Sequence, residues 1–462
     1  MADTQPEQAR EDPRDDEYEL DRDTVVAIVA AARGGAKPIL LKLLEDLHAA
    51  DIADLFEQIP AEDRKLIIDL GWEDIDNEVL VELEEGVRDD VLDILEPEQV
   101  AEAVAELETD DAVYLVEDLD ESDQKEILEA LEPADRQAIE TSLTYPENSA
   151  GRLMQRELVK APPFWTVGQM IDFMRASEDL PEQFYDVIIV DVAGKPVGTV
   201  PLSSIMGARR PVVLSALMHE EFRTLDADEP QEDVAYAFNQ YHLVSAPVVD
   251  QNGRLIGVIT IDDAMEVLDD EAEEDIKRLG GVGDEEISDQ VWEITKRRFP
   301  WLAVNLFTAI LASIVIGMFD GAISQLVALA VLMPIVASMG GNGGTQSLTV
   351  AVRALATRDL TATNAARVVM REALVGLGNG VVFALIMGLI AYLWFSEPML
   401  GVVIGLAMII NMLAAGLAGI LIPIGLDRLG ADPALASGAF VTTVTDVIGF
   451  LAFLGLAALM LL

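Results

Sequence analysis

Within residues 437–462, the most apolar run of the chain, Gly438, Thr442, Thr445, Asp446 and Gly449 recur three and four positions apart. In a helix such residues share one stripe, and Thr442 and Asp446 point the same way. Nine residues of the run precede Asp446 and sixteen follow it. The rise from Ser437 to Asp446 is roughly 14 Å, near half the hydrocarbon thickness of a bilayer. An ionised carboxylate at that depth is costly and is retained where it faces a partner, a water-filled cavity or a permeant ion. An ion pathway and a proton relay both fit these residue types. So does a protonated acid held by an amide of a neighbouring helix, such as Asn305 or Asn411.

Such an acid has to be positioned by membrane-spanning helices. About 20 apolar residues cross a bilayer, and five segments qualify: 301–319, 323–339, 373–395, 399–426 and 437–462. With the N-terminal half inside, Arg297 and Arg298, the loop holding Arg353, Arg358, Arg367 and Arg371, and the loop holding Arg428 all fall on the inner side. The outer loops around Asp320 and Glu397 carry no base. This positive-inside pattern puts the N-terminus in the cytoplasm and the C-terminus outside. A sixth or re-entrant segment at 347–355 is the alternative. The second segment ends in Met333-Pro-Ile-Val-Ala-Ser-Met-Gly-Gly-Asn-Gly-Gly-Thr-Gln346. There Pro334 and the glycines predict loosened backbone, either carbonyls turned to a lumen or a packing turn between spans.

Charge divides the chain near Arg297. From there to Leu462 seven acids balance seven bases, so residues 1–296 hold 75 acids against 23 bases and carry the whole net charge of -52. A polyanion of this kind disfavours nucleic acid and anionic lipid surfaces and favours cations. A high-salt host is a second source of the same bias, given eight Lys against 22 Arg. The absence of cysteine excludes disulfides and thiolate sites, and the three histidines, His48, His219 and His242, are far apart. No acid, base and nucleophile set emerges, so an enzyme is not expected. Residues 1–20 are acidic without an apolar core, unlike a signal peptide.

Residues 1–32 read as an acidic disordered leader. Over 33–146 a 24-residue helical repeat follows, with Leu83, Leu107 and Leu131 in register, then Val91, Leu115 and Ile139, then Leu95, Leu119 and Leu143. Short helices stacking in this way form a superhelical array. Residues 147–268 contain a second repeat: Ile189-Val-Asp-Val-Ala-Gly-Lys-Pro-Val-Gly-Thr-Val200 is echoed by Val248-Val-Asp-Gln-Asn-Gly-Arg-Leu-Ile-Gly-Val-Ile259, offset by 59. Each copy reads strand, glycine turn, strand, helix. The copies resemble the cystathionine-β-synthase (CBS) domain. That resemblance implies a tandem pair and a cleft for ATP or another adenine nucleotide at the second repeat, where Thr260 and Asp263 match the ribose-contacting Thr-x-x-Asp pattern. Pro201 and Ser204 replace that pattern in the first copy. Residues 269–299 form an acidic link, with six acids in the seven residues 269–275 and a helix predicted over 287–296.

In this order the parts resemble the MgtE family of magnesium channels. The resemblance rests on the acidic N domain, the CBS pair, Gly340-Gly-Asn-Gly-Gly-Thr-Gln-Ser347, Arg353-Ala-Leu-Ala-Thr-Arg-Asp359, and Asp432-Pro-Ala-Leu-Ala-Ser437 with Thr445-Asp446 behind it. It implies a multidomain α plus α/β membrane protein: acidic helical superhelix, tandem CBS pair, linking helix and a five-span transmembrane domain over 300–462. It further implies a homodimer in a bacterial plasma membrane, with the second and fifth spans lining a pore. Asp446 matches the acid that holds hydrated magnesium, the Thr442 carbonyl lies a turn below it, and Gly340, Gly341, Asn342 and Asp432 line the path. The family closes its pore when magnesium fills sites among the cytoplasmic domains and linking helix. The matching sensor acids are Asp262, Asp263, Glu266, Glu271, Glu274 and Asp275. A coupled secondary transporter of divalent cations and a membrane-anchored ion or nucleotide sensor are the competing functions.

Overall fold

The apolar positions of the 24-residue repeat become the floor of a helical array. Leu83, Val91, Leu95, Leu115, Leu131 and Ile139 are buried in one core, with Leu107, Leu119 and Leu143 packed against it. The helices that carry them are short, as in Pro97–Glu106, Thr109–Glu117, Glu121–Ala130 and Pro133–Ser142. Pro97 and Pro133 sit in first turns, where a missing N–H costs little. The computed structural model describes residues 20–461 except 118, 178–179, 182, 284 and 286–290. It divides into two units, Met1–Leu268 and Asp269–Leu462.

The disordered leader expected to reach Ala32 is corrected for its last part. Arg22–Arg33 is a helix that buries Ile28, Ala31 and Ala32 in the array. The Arg33 guanidinium donates to Asp63 at 2.6 and 2.7 Å, tying this helix to a later one. A polar, acidic composition masked an apolar stripe too short to stand out. Residues 1–19 lie outside the described ones.

The second repeat folds twice into the same three-stranded sheet. β1 (Lys160–Ala161), β2 (Asp186–Val190) and β3 (Pro196–Pro201) form one; β4 (Leu225–Asp226), β5 (Ser245–Val249) and β6 (Leu255–Thr260) form the other. In each the first two strands are parallel and the last two antiparallel. The copies are interlocked. Gln155, ahead of the first sheet, pairs with Val258 of β6, while His219, ahead of the second, pairs with Thr199 of β3. The equivalent residues Asp186 and Ser245 meet, the hydroxyl donating to the carboxylate at 2.9 Å. Each crossing requires glycine: a Cβ on Gly198 would lie 2.2 Å from Met218 Cγ, and one on Gly257 would lie 2.6 Å from Met154 Sδ and 2.9 Å from the Gln155 carbonyl. Gly257→Val should therefore destabilise the N-terminal unit by about 3 kcal/mol or more. The check is chemical unfolding of the solubilised chain, where an unchanged first transition would contradict the crossing.

The linking helix, Ile261–Gly280, starts inside the segment assigned to the CBS pair and ends well before residue 299. Its crowded acids are partly paired on the helix itself, Lys277 to Glu273 at 2.9 Å and Arg278 to Glu274. Such i,i+4 pairs relieve the like-charge repulsion expected there. Of the helix predicted over 287–296, residues 287–290 lie outside the described ones, and the remainder opens the first long helix of the C-terminal unit.

That unit contains α1 (Val291–Gly317), α2 (Ala328–Ala356), α3 (Ala365–Phe395), α4 (Pro398–Arg428) and α5 (Pro433–Met460), with a short helix Asp320–Gln325 before α2. Four of these, rather than the expected five, are both long and apolar enough to cross a membrane: α1 from Ile294, α3, α4 and α5 from Gly438. α2 has the length, but Asn342, Thr345 and Gln346 among its glycines dilute its apolar middle. α4 is the central helix, with Val403, Ile404, Ala407, Met408 and Ala415 wholly buried. The loosened backbone expected after Pro334 is corrected as well: α2 runs unbroken through Pro334 and the glycines, and it absorbs the proposed re-entrant segment 347–355. Here glycine serves close packing. A Cβ on Gly344 would lie 2.5 Å from Val441 of α5.

Candidate functional site

The stripe on α5 divides into two faces. Thr445 is wholly buried, close to Gly344 of α2, and Gly449 faces Asn411 of α4. Thr442 and Asp446 lie on the neighbouring, half-buried face. Hydroxyls on this segment turn back on their own helix: Thr442 donates to the Gly438 carbonyl at 3.0 Å, and Thr445 to the Thr442 carbonyl at 2.9 Å. Asp446 has no hydrogen-bond or ion-pair partner among the described residues. Neither amide considered as its partner bonds to it. Asn411 Nδ2 donates to the Val336 carbonyl at 2.8 Å, and Asn305 is exposed.

The remaining residues expected along the path are spread along α2 and the start of α5. Gly340 is buried against the Asn411 amide, whereas a Cβ on Gly341 would meet nothing within 4 Å. Asn342 is exposed, and its Nδ2 donates to the Ser338 carbonyl at 2.9 Å. Asp432 caps α5, its Oδ1 accepting from Ala434 N at 2.7 Å, and its Oδ2 pairs with Arg278 of the linking helix. Asp275 lies near the same place. Burial first, then the charges of Asp432 and Glu271, push its carboxyl up to about 6 against the opposing pull of Arg353. Leu279 completes the contact by packing on Leu348, Val352, Ala434 and Val441.

The N-terminal unit gathers a second group of acids. Asp262, Asp263 and Glu266, at the start of the linking helix, face Glu108, Asp110 and Asp111, at the head of helix Thr109–Glu117. Burial, then the charges of Glu157, Asp263 and Asp262, raise the Glu108 carboxyl to about 7. Burial with Asp263, Glu108 and Glu266 raises Asp111 to about 7. Buried Asp110 is likewise raised well above the usual carboxylate range, chiefly by burial and then by the charges of Asp263, Asp111 and Glu108. Asp263 is raised by burial despite two hydrogen bonds from Thr260 that favour its charged form. Neutral bonds hold the apposition in place: Gln155 Nε2 donates to Glu108 at 2.6 Å and Thr109 Oγ1 to Glu157 at 2.8 Å. Among the described residues no three acids or histidines converge as a ready-made ligand cage. The acids are close enough to repel one another.

Thr260 and Asp263 are bound to each other, the Thr260 hydroxyl donating at 2.8 Å and its N–H at 3.1 Å to the same carboxylate oxygen. Thr260 also donates to Asp262. The nearby cleft, lined by Tyr185, Asp186, Ser245 and Thr260, encloses about 20 Å³. That is room for roughly one water molecule.

Sequence reasoning missed Glu108, Asp110 and Asp111. They sit in an acidic array where any single acid reads as a solvated face, and only the fold brings them against the linking helix. It also missed Glu372 of α3. This acid is 9% exposed, accepts from Ser347 Oγ of α2 at 2.9 Å, and lies beside Arg371 in a stretch that reads as a basic inner loop.

Family profiles match three stretches of the chain. The profile described as Divalent cation transporter, MgtE, matches residues 333–456. Those of the MgtE intracellular N domain and the CBS domain match 47–148 and 214–270. The magnesium transporter MgtE of Enterococcus faecalis is 34% identical over 321 residues, 70% of this chain and 71% of that protein. Its counterpart in Bacillus subtilis is 28% identical over 434 residues, 94% and 96% of the two chains. That of Thermus thermophilus is 34% identical over 329 residues, 70% and 72%. Among solved structures, the cytosolic domain of the Mg2+ channel MgtE in complex with ATP is 28% identical, covering 53% of this chain and 99% of that one with a TM-score of 0.49.

Proposed function

Because the chain belongs to the MgtE family of divalent cation transporters, we propose that it conducts magnesium across a bacterial plasma membrane as a homodimeric channel. The observation that carries this reading is Asp446, a half-buried acid within the last apolar helix that has no partner among the described residues. Two such carboxylates about a two-fold axis suit magnesium, which sheds its water reluctantly and is best held through its hydration shell. Thr442 offers a carbonyl one turn away. Gly341 and Asn342, on the open side of α2, continue the path, and Asp432 marks its inner end. All five long helices then act as spans. The polar middle of α2 faces ions rather than lipid, which is why its composition falls short of a lipid-facing span. The arginine pattern supports an N-terminus in the cytoplasm and a C-terminus outside.

Control of the pore lies in the linking helix. Its start carries Asp262, Asp263 and Glu266 and its later turns carry Glu271, Glu274 and Asp275, so one continuous helix bears both sets of acids. Magnesium bridging these carboxylates favours the packed arrangement, and its loss lets charge repulsion disperse it. Arg278 supplies part of the same neutralisation from within the chain, through Glu274 and Asp432. An adenine nucleotide acts at the second CBS repeat, where its ribose hydroxyls replace the bond between Thr260 and Asp263.

The test is magnesium flux into proteoliposomes as the ion is raised on the face bearing the N-terminal unit. Flux should fall severalfold as that magnesium rises, with no dependence on a proton or sodium gradient. Flux that requires such a gradient makes the protein a coupled transporter. Absence of flux under all conditions leaves it a sensor.

A further inference from the structure

Asn411 is wholly buried in the middle of α4, beside Met408 and Met412. Its Nδ2 donates to the Val336 carbonyl of α2 at 2.8 Å. Its Oδ1 is buried with no hydrogen-bond partner among the described residues. The amide fills a slot closed by glycines from two other helices. A Cβ on Gly340 of α2 would lie 2.2 Å from Asn411 Nδ2, and one on Gly449 of α5 would lie 2.8 Å from the same atom. Gly449 is three residues along α5 from Asp446, and Gly340 opens the polar segment of α2.

Filling space does not require an amide here. Leucine or methionine would pack three apolar helices without leaving an oxygen unsatisfied, an omission that costs about 1–3 kcal/mol. What the amide adds is geometry: a flat, directional group that reads the height of a carbonyl on one helix and admits the backbone of another at close range.

We infer that Asn411 is the positioning residue of the ion path, pinning α2 through Val336 and setting the approach of α5 through Gly449, and thereby fixing where Asp446 stands relative to residues 340–342. The inference rests on the pore reading above and extends it to a helix that does not line the path. A carboxylate that must meet a hydrated ion of one size is sensitive to displacements below an ångström, so the observable is ion selectivity more than stability.

The experiment compares full-length wild type, Asn411→Ala, Gly449→Ala and the double variant in proteoliposomes, measuring magnesium flux, sodium flux and thermal midpoint. Asn411→Ala should lower the magnesium-to-sodium ratio about tenfold by removing the bond to Val336, and Gly449→Ala should do so by pushing α5 off the amide; in the double the Gly449 change should add little to the loss at Asn411, because its methyl no longer meets an amide. An amide with only a structural role lowers folded yield and midpoint but leaves the ratio of the folded protein unchanged; that result, or additive losses in the double, overturns the inference. If Asn411→Ala does not fold, Gly449→Ala decides alone, and a wild-type ratio refutes it. Asp446→Asn in the same vesicles separates the two claims. Loss of flux there with an unmoved ratio at position 411 removes this inference only, whereas wild-type flux removes the pore reading itself.

Discussion

Asp446→Asn should reduce magnesium flux about 100-fold or more, the loss that follows from removing an attraction of a few kcal/mol. The change is isosteric and breaks no hydrogen bond or ion pair among the described residues, so assembly and thermal midpoint should hold. In a two-fold pore both carboxylates are lost at once, and the remaining threonine carbonyls and hydroxyls offer dipoles without net charge. The measurement is flux of purified protein in vesicles, with detergent-phase oligomer size as the control. Flux at the wild-type level would show that the acid serves the fold alone.

The second large effect concerns the acids between the N domain and the second CBS repeat. Glu108 and Asp111 each have a folded-state pKa raised to about 7, and that of Asp110 is raised well above its ordinary value. A carboxyl raised on folding binds protons in the folded state over a window where the unfolded chain has already released them, so stability falls as pH rises from about 4 toward 7. Moving the wild type from about pH 8 to pH 6 should therefore raise the midpoint of the N-terminal unit by about 5 °C. Magnesium at pH 8 should raise it likewise, since the ion relieves the same repulsion. Glu108→Gln with Asp110→Asn and Asp111→Asn should flatten both responses. Asp262, Asp263, Glu266 and Glu157 face the same group and are left unsubstituted, so the triple variant isolates the N-domain side. A wild-type midpoint that is flat or falls on acidification would mean that these carboxylates are not strained in the packed state.

Legibility followed the range of the interactions involved. The CBS copies announced themselves through an offset of 59 residues, and the same offset relates Asp186 to Ser245, which touch. The core of the helical array followed from its 24-residue register, because burial repeats wherever the local pattern repeats. Asp446 stood out because one acid in an apolar run needs no partner to be noticed. The failures were of another kind. Gly340, Gly341, Gly343 and Gly344 read as a loosened chain because local propensity treats glycine as a helix breaker, whereas between packed helices the missing side chains of Gly340 and Gly344 let Asn411 and Val441 approach. Asp110 and Asp111 were lost among dozens of similar acids. Only tertiary packing distinguishes a carboxylate facing solvent from one facing Asp263.

The crossing at Gly198 and Gly257 bears on how this protein can be taken apart. Because the segment leading into each CBS sheet pairs with the last strand of the other, neither copy is complete without its sibling. A single copy expressed alone would present an open sheet edge in place of the missing partner strand, and duplication of one half would not reproduce the whole. The two copies thus form one indivisible folding unit in which strain applied to either is shared by both. A ligand wedged beside Ser245 and Asp186 acts on the joint that holds the pair together.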